Sequence, residues 1–298
     1  MEVCAAVVQP STLRGEREVE NLSRALSYIE TASRGGAQLV VFPEGYPGPY
    51  HGPVSYSPLE PLCEQAKRFG IHVVASWVEA APDVGEGVYR LALKLIGPEG
   101  QLIGTYYRTQ PNTPDVAEAL MPGKFIAPGD ELGVFETAIG KIGLIICGEI
   151  WWPEMSRVLA LQGADIIVAP IGGVLYEIRK AWRTIVWARA MENMCYVLVT
   201  QNLFGREEGL AVIAAPEEIL AESDQEGIVL ARLDLGRLQW LRNTEEGLTV
   251  PKPYRSIPGL FKDRRPELYG EITKPNRDQR DYYYFLEAIS KGAPNRSA

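Results

Sequence analysis

The sequence predicts an α/β fold in which two sheets pack face to face with helices on their outer sides. Three observations carry that prediction. Strand-like and helix-like stretches alternate through both halves of the chain, with strand pairs between them. The strands read as short continuous apolar runs, such as Leu39-Val40-Val41-Phe42 and Gly143-Leu144-Ile145-Ile146, the pattern of a strand buried on both faces. The segment Gly36-Ala37-Gln38-Leu39-Val40-Val41-Phe42-Pro43 can also be laid on Gly163-Ala164-Asp165-Ile166-Ile167-Val168-Ala169-Pro170, each preceded by a helix-like stretch, so two similar halves are expected.

In order, the pattern predicts a strand over 3–8, a helix over 17–34, a strand over 38–42, a helix over 58–69 and a strand over 72–79. Strands follow near 89–97, 101–106, 132–136 and 141–147. Pro153 opens a helix over 153–163, since proline in the first turn lacks only an N–H that has no partner there. A strand over 165–169, a helix over 177–193 and a strand over 195–200 complete the second half. Late strands near 209–215 and 227–233 and a short helix over 235–242 precede an irregular tail.

No linker-like run of Pro, Gly and Ser and no block of charge divides the 298 residues, which reads as one domain over 1–270 and a C-terminal tail over 271–298. A hydrophobic content of 46% suits a globule with a substantial core. The net charge of −8 speaks against nucleic-acid partners and anionic membrane surfaces. No segment approaches bilayer length, and the first strand begins without a leader-like region, so a cytoplasmic protein is expected. Cys4, Cys63, Cys147 and Cys195 are widely spaced, which suggests neither a zinc site nor a disulfide framework. His51 and His72 are the only histidines, and no G-x-S-x-G elbow is present, which argues against a Ser-His-Asp hydrolase.

Two strand ends carry reactive groups. Cys147 closes the run from Gly143 and is followed by Gly148-Glu149-Ile150-Trp151-Trp152-Pro153, so a strand delivers a thiol to the mouth of a helix. There it can face a cleft, with the Gly148 N–H turned toward developing negative charge. The alternative is a buried cysteine packed as a small hydrophobe. Glu44 closes the run from Leu39 in the same way, and its counterpart in the repeat is Ile171, so the carboxylate is a local departure from the repeat.

With Phe42-Pro43-Glu44 and the Cys147 segment together, the chain resembles the carbon–nitrogen hydrolase family, also called the nitrilase superfamily. The likeness continues through Pro153-Glu154, Arg157, Gly163–Pro170, Arg189-Ala190-Met191-Glu192-Asn193, the Gly209/Ile213/Pro216 spacing and Arg265-Pro266-Glu267-Leu268-Tyr269. It implies a four-layer αββα sandwich. It also implies a glutamate base, Glu44, and a cysteine nucleophile, Cys147, that forms a thioester. The family lysine that stabilises the tetrahedral intermediate is missing. Gly104-Thr105-Tyr106-Tyr107-Arg108-Thr109 places Arg108 at its position without a gap, and a shift by one places Thr109 there. Arginine retains the charge but presents a rigid planar fork and keeps its proton. Glu118 is a candidate for the second glutamate of many family members. Gly148, Tyr46, Tyr50, Glu149 and Trp151 are candidates for the oxyanion and substrate pocket.

The resemblance implies hydrolysis of a small amide without metal or organic cofactor, and features of the late chain look more like amidase branches than true nitrilases. A nitrilase acting on nitriles and a binding protein weakened by the lost lysine are the alternatives. A homodimer or larger homo-oligomer is expected, with the aromatic cluster Tyr282-Tyr283-Tyr284-Phe285-Leu286 in the tail as a contact.

Overall fold

A computed structural model describes residues 1–51, 56–112, 124–173, 178–205, 209–242 and 264–274. The first half runs β1 (Glu2–Gln9), α1 (Glu20–Arg34), β2 (Leu39–Val41), α2 (Leu59–Phe69), β3 (His72–Ala80), β4 (Val88–Ile96), β5 (Leu102–Tyr107) and the two-residue β6 (Phe125–Ile126). The second runs β7 (Val134–Thr137), β8 (Gly140–Leu144), α3 (Pro153–Leu161), β9 (Ile166–Val168), α4 (Arg179–Asn193), β10 (Tyr196–Val199), β11 (Ala211–Ala214) and β12 (Ile219–Ser223). β13 (Gly227–Asp234) and α5 (Leu235–Arg242) follow.

One sheet has the order β13-β1-β2-β3-β4-β5, with β6 beside β4, and the other has the order β12-β11-β10-β9-β8-β7. Along each path the central strands pair in parallel and the outer ones antiparallel, while β6 runs parallel to β4. The parallel pairs need crossover connections, which α1, α2, α3 and α4 supply. The chain forms the four-layer sandwich of two mixed sheets with helices outside.

Strand alternation explains why the layers hold together. Val7, Leu39, Val41, Ile142, Leu144, Ile166 and Val168 all point into the core between the sheets. Their neighbours Val8 and Val40 pack outward with Ala25 and Ile29 of α1 and Leu62 of α2. Ile145 and Ile167 pack outward with Leu159 of α3 and Val186 of α4. Both faces of the central strands are dry, so these strands carry no polar alternation. Helix ends follow local chemistry. α2 stops at Gly70, whose φ of 61° is the left-handed conformation that glycine adopts without a Cβ clash.

Two expectations need correction. Between the late strands expected near 209–215 and 227–233 lies a third, β12, to which β11 pairs, while β13 crosses to the other sheet and runs antiparallel to β1. The strand leading to the thiol ends its ladder at Leu144 rather than at 147. The chain from Ile145 still hydrogen-bonds to the strand beside it, through Ile145 N to Val168 O at 3.0 Å and Cys147 N to Pro170 O at 2.8 Å. Among the described residues, no helix is long and apolar enough to cross a membrane.

Candidate active site

Three strand exits at one end of the sandwich converge. Glu44 follows β2, Arg108 follows β5, and Cys147 opens a short 3₁₀ turn, Cys147–Trp151, that leads into α3. Arg108 donates from Nη1 to Glu44 Oε1 at 3.0 Å, and the two side chains are 4% and 2% exposed. So deep an ion pair needs further partners for the guanidinium nitrogens. Arg108 Nε donates to Gln110 O at 2.9 Å and Nη2 to Asn112 Oδ1 at 3.2 Å, which accounts for three of its five N–H groups. Burial disfavours its charge, but Glu44 above all, and then Cys147 and Glu149, hold its pKa above the ordinary arginine value.

Cys147 has φ of 55°, a conformation that a residue bearing Cβ adopts at a cost of about 1–2 kcal/mol. The side chain packs against both the core between the sheets and the layer beneath α3 and α4, where the Glu44 carboxylate and the Gly172 N–H act on the thiol. Burial, and next the negative charge of Glu44, push the thiol up to about 12, while Arg108 and the Gly172 N–H work in the opposite direction. The resting sulfur is therefore a protonated thiol, with the Glu44 carboxylate beside it. The first hydrogen bond of the 3₁₀ turn runs from Glu149 N to Ile146 O, so the Gly148 N–H precedes the ladder. A Cβ on Gly148 would lie 3.6 Å from Arg108 Nη2, which puts this glycine beside the guanidinium.

Of the other sequence candidates, Tyr50 joins the site. It is buried, and burial together with the charge of Glu44 holds its hydroxyl well above the ordinary tyrosine pKa. Tyr46 does not join it. Its ring stacks on Phe42 at 5.4 Å in the layer between the first sheet and helices α1 and α2. Trp151 is 39% exposed and packs edge-on against Trp182 of α4, at 5.3 Å between centroids. Glu149 is fully buried, but its oxygens accept from Tyr106, Thr109, Gln110 and Ile146, with no hydrogen bond to spare for a ligand. Glu118 lies outside the described residues.

Three residues that sequence reasoning did not single out as site residues complete the geometry. Gly172 approaches Glu44 so closely that a Cβ there would lie 2.7 Å from its Oε2. Asn202 donates from Nδ2 to Glu44 O at 2.8 Å and Gly172 O at 3.0 Å, and Thr12 Oγ1 donates to Asn202 Oδ1 at 2.8 Å. Arg189 of α4 holds the Cys147–Trp151 turn, donating to Ile150 O at 2.8 Å and Trp151 O at 2.9 Å. The repeat held a signal for the first of these. Extended by two residues, it pairs Gly45 with Gly172.

Known proteins share this arrangement of chain. The carbon–nitrogen hydrolase family model matches residues 4–243. A nitrilase of Pyrococcus abyssi is 31% identical over 291 residues, covering 90% of this chain and 99% of its own length. A citrullinase of Francisella tularensis is 29% identical over 301 residues, covering 90% and 97%. Among solved structures, an amidase mutant from Nesterenkonia sp., showing covalent addition of the acetamide moiety of fluoroacetamide at its active site cysteine, superposes with a TM-score of 0.72. That match has 21% identity and covers 90% of this chain and 96% of that one. The extent of the family match and the agreement in fold make this chain a member of the carbon–nitrogen hydrolase family.

Proposed function

We propose that the protein hydrolyses the C–N bond of a small amide through a thioester on Cys147, with Glu44 as general base and Arg108 in the place of the family lysine. The observation that carries this reading is the buried Glu44–Arg108 pair against the Cys147 thiol. Glu44 takes the thiol proton as sulfur attacks the carbonyl carbon, so a C–S bond forms and the carbonyl π electrons move to oxygen. The two N–H groups of Arg108 not yet accounted for, with the Gly148 N–H, face the oxyanion. Glu44 then passes its proton to the nitrogen, the C–N bond breaks, and ammonia or an amine leaves. Water, deprotonated by Glu44, attacks the thioester and releases the carboxylic acid and the thiol. No step needs a metal or organic cofactor. Thr109, the alternative residue for the lysine position, donates its hydroxyl to Glu149 instead of facing Glu44.

The test is ammonia release from a panel of amides, carbamoyl compounds and nitriles, read with a mass-spectrometric search for an acyl adduct on Cys147. Amide turnover with an adduct on Cys147 is expected. Turnover of nitriles alone would make the protein a nitrilase, and neither turnover nor adduct would leave a binding protein. Arg108→Ala should lower kcat about a hundred- to a thousandfold with a smaller change in KM, the scale of losing one oxyanion donor. Arg108→Lys keeps the charge and should retain more activity than the alanine form. An alanine variant as fast as the parent would make Arg108 a bystander. The tail cluster expected to join two copies, Tyr282–Leu286, lies outside the described residues. Homo-oligomerisation stays a proposal, which light scattering on the full chain and on a chain ending before Asp278 would decide.

A further inference from the structure

We infer that Glu149 is a positioning residue that locks the Arg108 loop to the nucleophile turn, so that guanidinium and sulfur keep one fixed geometry. The inference rests on the role proposed above for Arg108.

A buried carboxylate two residues from the nucleophile invites the idea of a second base or a substrate contact, and its hydrogen bonds argue otherwise. Oε1 accepts from Thr109 N at 2.9 Å, Gln110 N at 2.9 Å and Thr109 Oγ1 at 2.8 Å. Oε2 accepts from Ile146 N at 2.7 Å. The Tyr106 hydroxyl lies at 2.8 Å from one oxygen and 2.7 Å from the other. The donors belong to two structures. Tyr106, Thr109 and Gln110 flank Arg108 at the exit of β5, and Ile146 immediately precedes Cys147. One side chain thus ties the two residues after Arg108 to the residue before the sulfur. Its negative charge also contributes to holding the proton on Arg108.

The donor set is exacting because every partner donates. A carboxylate can receive two main-chain N–H groups on one oxygen and a third on the other, whereas a carboxamide has one accepting end. In Glu149→Gln, an amide turned to accept from Thr109 and Gln110 would aim its NH₂ at the Ile146 N–H. The opposite orientation would face the other two. Either way one side of the lock opens and a buried N–H loses its partner. Glu149→Asp keeps the charge but is one methylene short of spanning both sides.

The test uses the full chain and whichever of acetamide, propionamide, butyramide and benzamide the parent turns over fastest. Parent, Glu149→Gln, Glu149→Asp, Arg108→Ala and the Glu149→Gln/Arg108→Ala double variant are compared by kcat and KM. Both Glu149 variants should lose kcat by about a hundredfold, the scale of a 1 Å misplacement, with KM within about threefold. In the Arg108→Ala background the Glu149→Gln loss should largely vanish, because there is no guanidinium left to place. A folded Glu149→Gln enzyme within about threefold of the parent's kcat, beside a crippled Arg108→Ala, would overturn the inference and leave the proposed function standing. So would losses that multiply in the double variant, since Glu149 would then act independently of Arg108. If Glu149→Gln does not fold, Tyr106→Phe removes a single donor and gives the same reading. A severalfold kcat loss, absent from the Arg108→Ala background, supports the inference, and no loss overturns it. A parent inactive on all four amides, or as active without Arg108, removes the reading beneath it.

Discussion

The strands β13-β1-β2-β3-β4-β5 and the strands β7-β8-β9-β10-β11-β12 pair in the same succession: antiparallel, parallel, parallel, antiparallel, antiparallel. Val41 lies beside Val7 in the first half as Val168 lies beside Leu144 in the second, which makes the positions comparable one by one. Three residues past Leu144 is Cys147, and three past Val7 is Pro10. Three past Val41 is Glu44, and three past Val168 is Ile171. Neither half holds both reactive groups. The half without the carboxylate instead contributes backbone: Pro170 O accepts the Cys147 N–H, and the Gly172 N–H lowers the pKa of its thiol. Two similar frames facing each other have become one site by keeping a different side chain at each of two equivalent exits.

The sharpest way to break this division is to remove one half's reactive group. Cys147→Ala should abolish turnover without unfolding the protein. Glu44→Gln should also collapse turnover and lower the thiol pKa, whereas Arg108→Ala should raise it, a direction that a loosened fold, which rehydrates the thiol, would not produce. The charge of Glu44 raises the Cys147 pKa and that of Arg108 lowers it. Glu44→Gln should therefore bring the thiol down from about 12, and Arg108→Ala should push it further up. A pH titration of thiolate absorbance checks both signs. A Cys147 pKa that rises in Glu44→Gln would mean that the carboxylate does not act on the sulfur as the geometry places it.

The equivalent glycines give a finer test. Gly45 has φ of 68°, and an added Cβ would run into the Tyr50 ring, so Gly45→Ala strains the backbone and overpacks the core. Gly172 is not in the left-handed region, and its Cβ would meet Glu44 Oε2 at 2.7 Å. Gly45→Ala should lower stability by about 1–3 kcal/mol, seen in the denaturant midpoint. Gly172→Ala should lose kcat by about tenfold or more while unfolding near the parent's midpoint, since the far end of a side chain can move where backbone cannot. If Gly172→Ala instead unfolded early with normal turnover, the close approach to the base would be a packing matter alone.

Much of this frame was legible in the sequence because the strands are dry on both faces, and the apolar runs ending at Glu44 and near Cys147 stand out against polar connections. β12 was not legible, since Ile219-Leu220-Ala221-Glu222-Ser223 is a half-exposed edge strand with no such run. Tyr46 is one of the aromatic residues near strand ends that the sequence offers for the pocket. Its ring instead packs outward with Phe42, while the backbone turns before Tyr50 reaches the inner side. Glu149 sits two residues from Cys147 in the sequence, but most of its donors come from about forty residues upstream, at separations of 39, 40 and 43. The pairing of Arg108 with Glu44 spans 64 residues and has no local signature.

The smallest effect expected tests the strut that joins the halves. Asn202 Nδ2 spans the carbonyls of Glu44 and Gly172, one from each half, and Thr12 holds the other end of the amide at 2.8 Å. Thr12 could act by fixing which way the amide faces or by adding one hydrogen bond. Two carbonyls facing Nδ2 already decide the orientation, because a flipped amide would turn its oxygen toward both. Thr12→Val should then cost only the bond, about 1 kcal/mol of stability by denaturant unfolding, with kcat within about threefold of the parent. Asn202→Ala, which strands two buried carbonyls, should cost more on both measures. Should Thr12→Val match Asn202→Ala in lost turnover, the amide would be held from its far end. The alignment of the two halves would then depend on the first half's loop rather than on the carbonyls it spans.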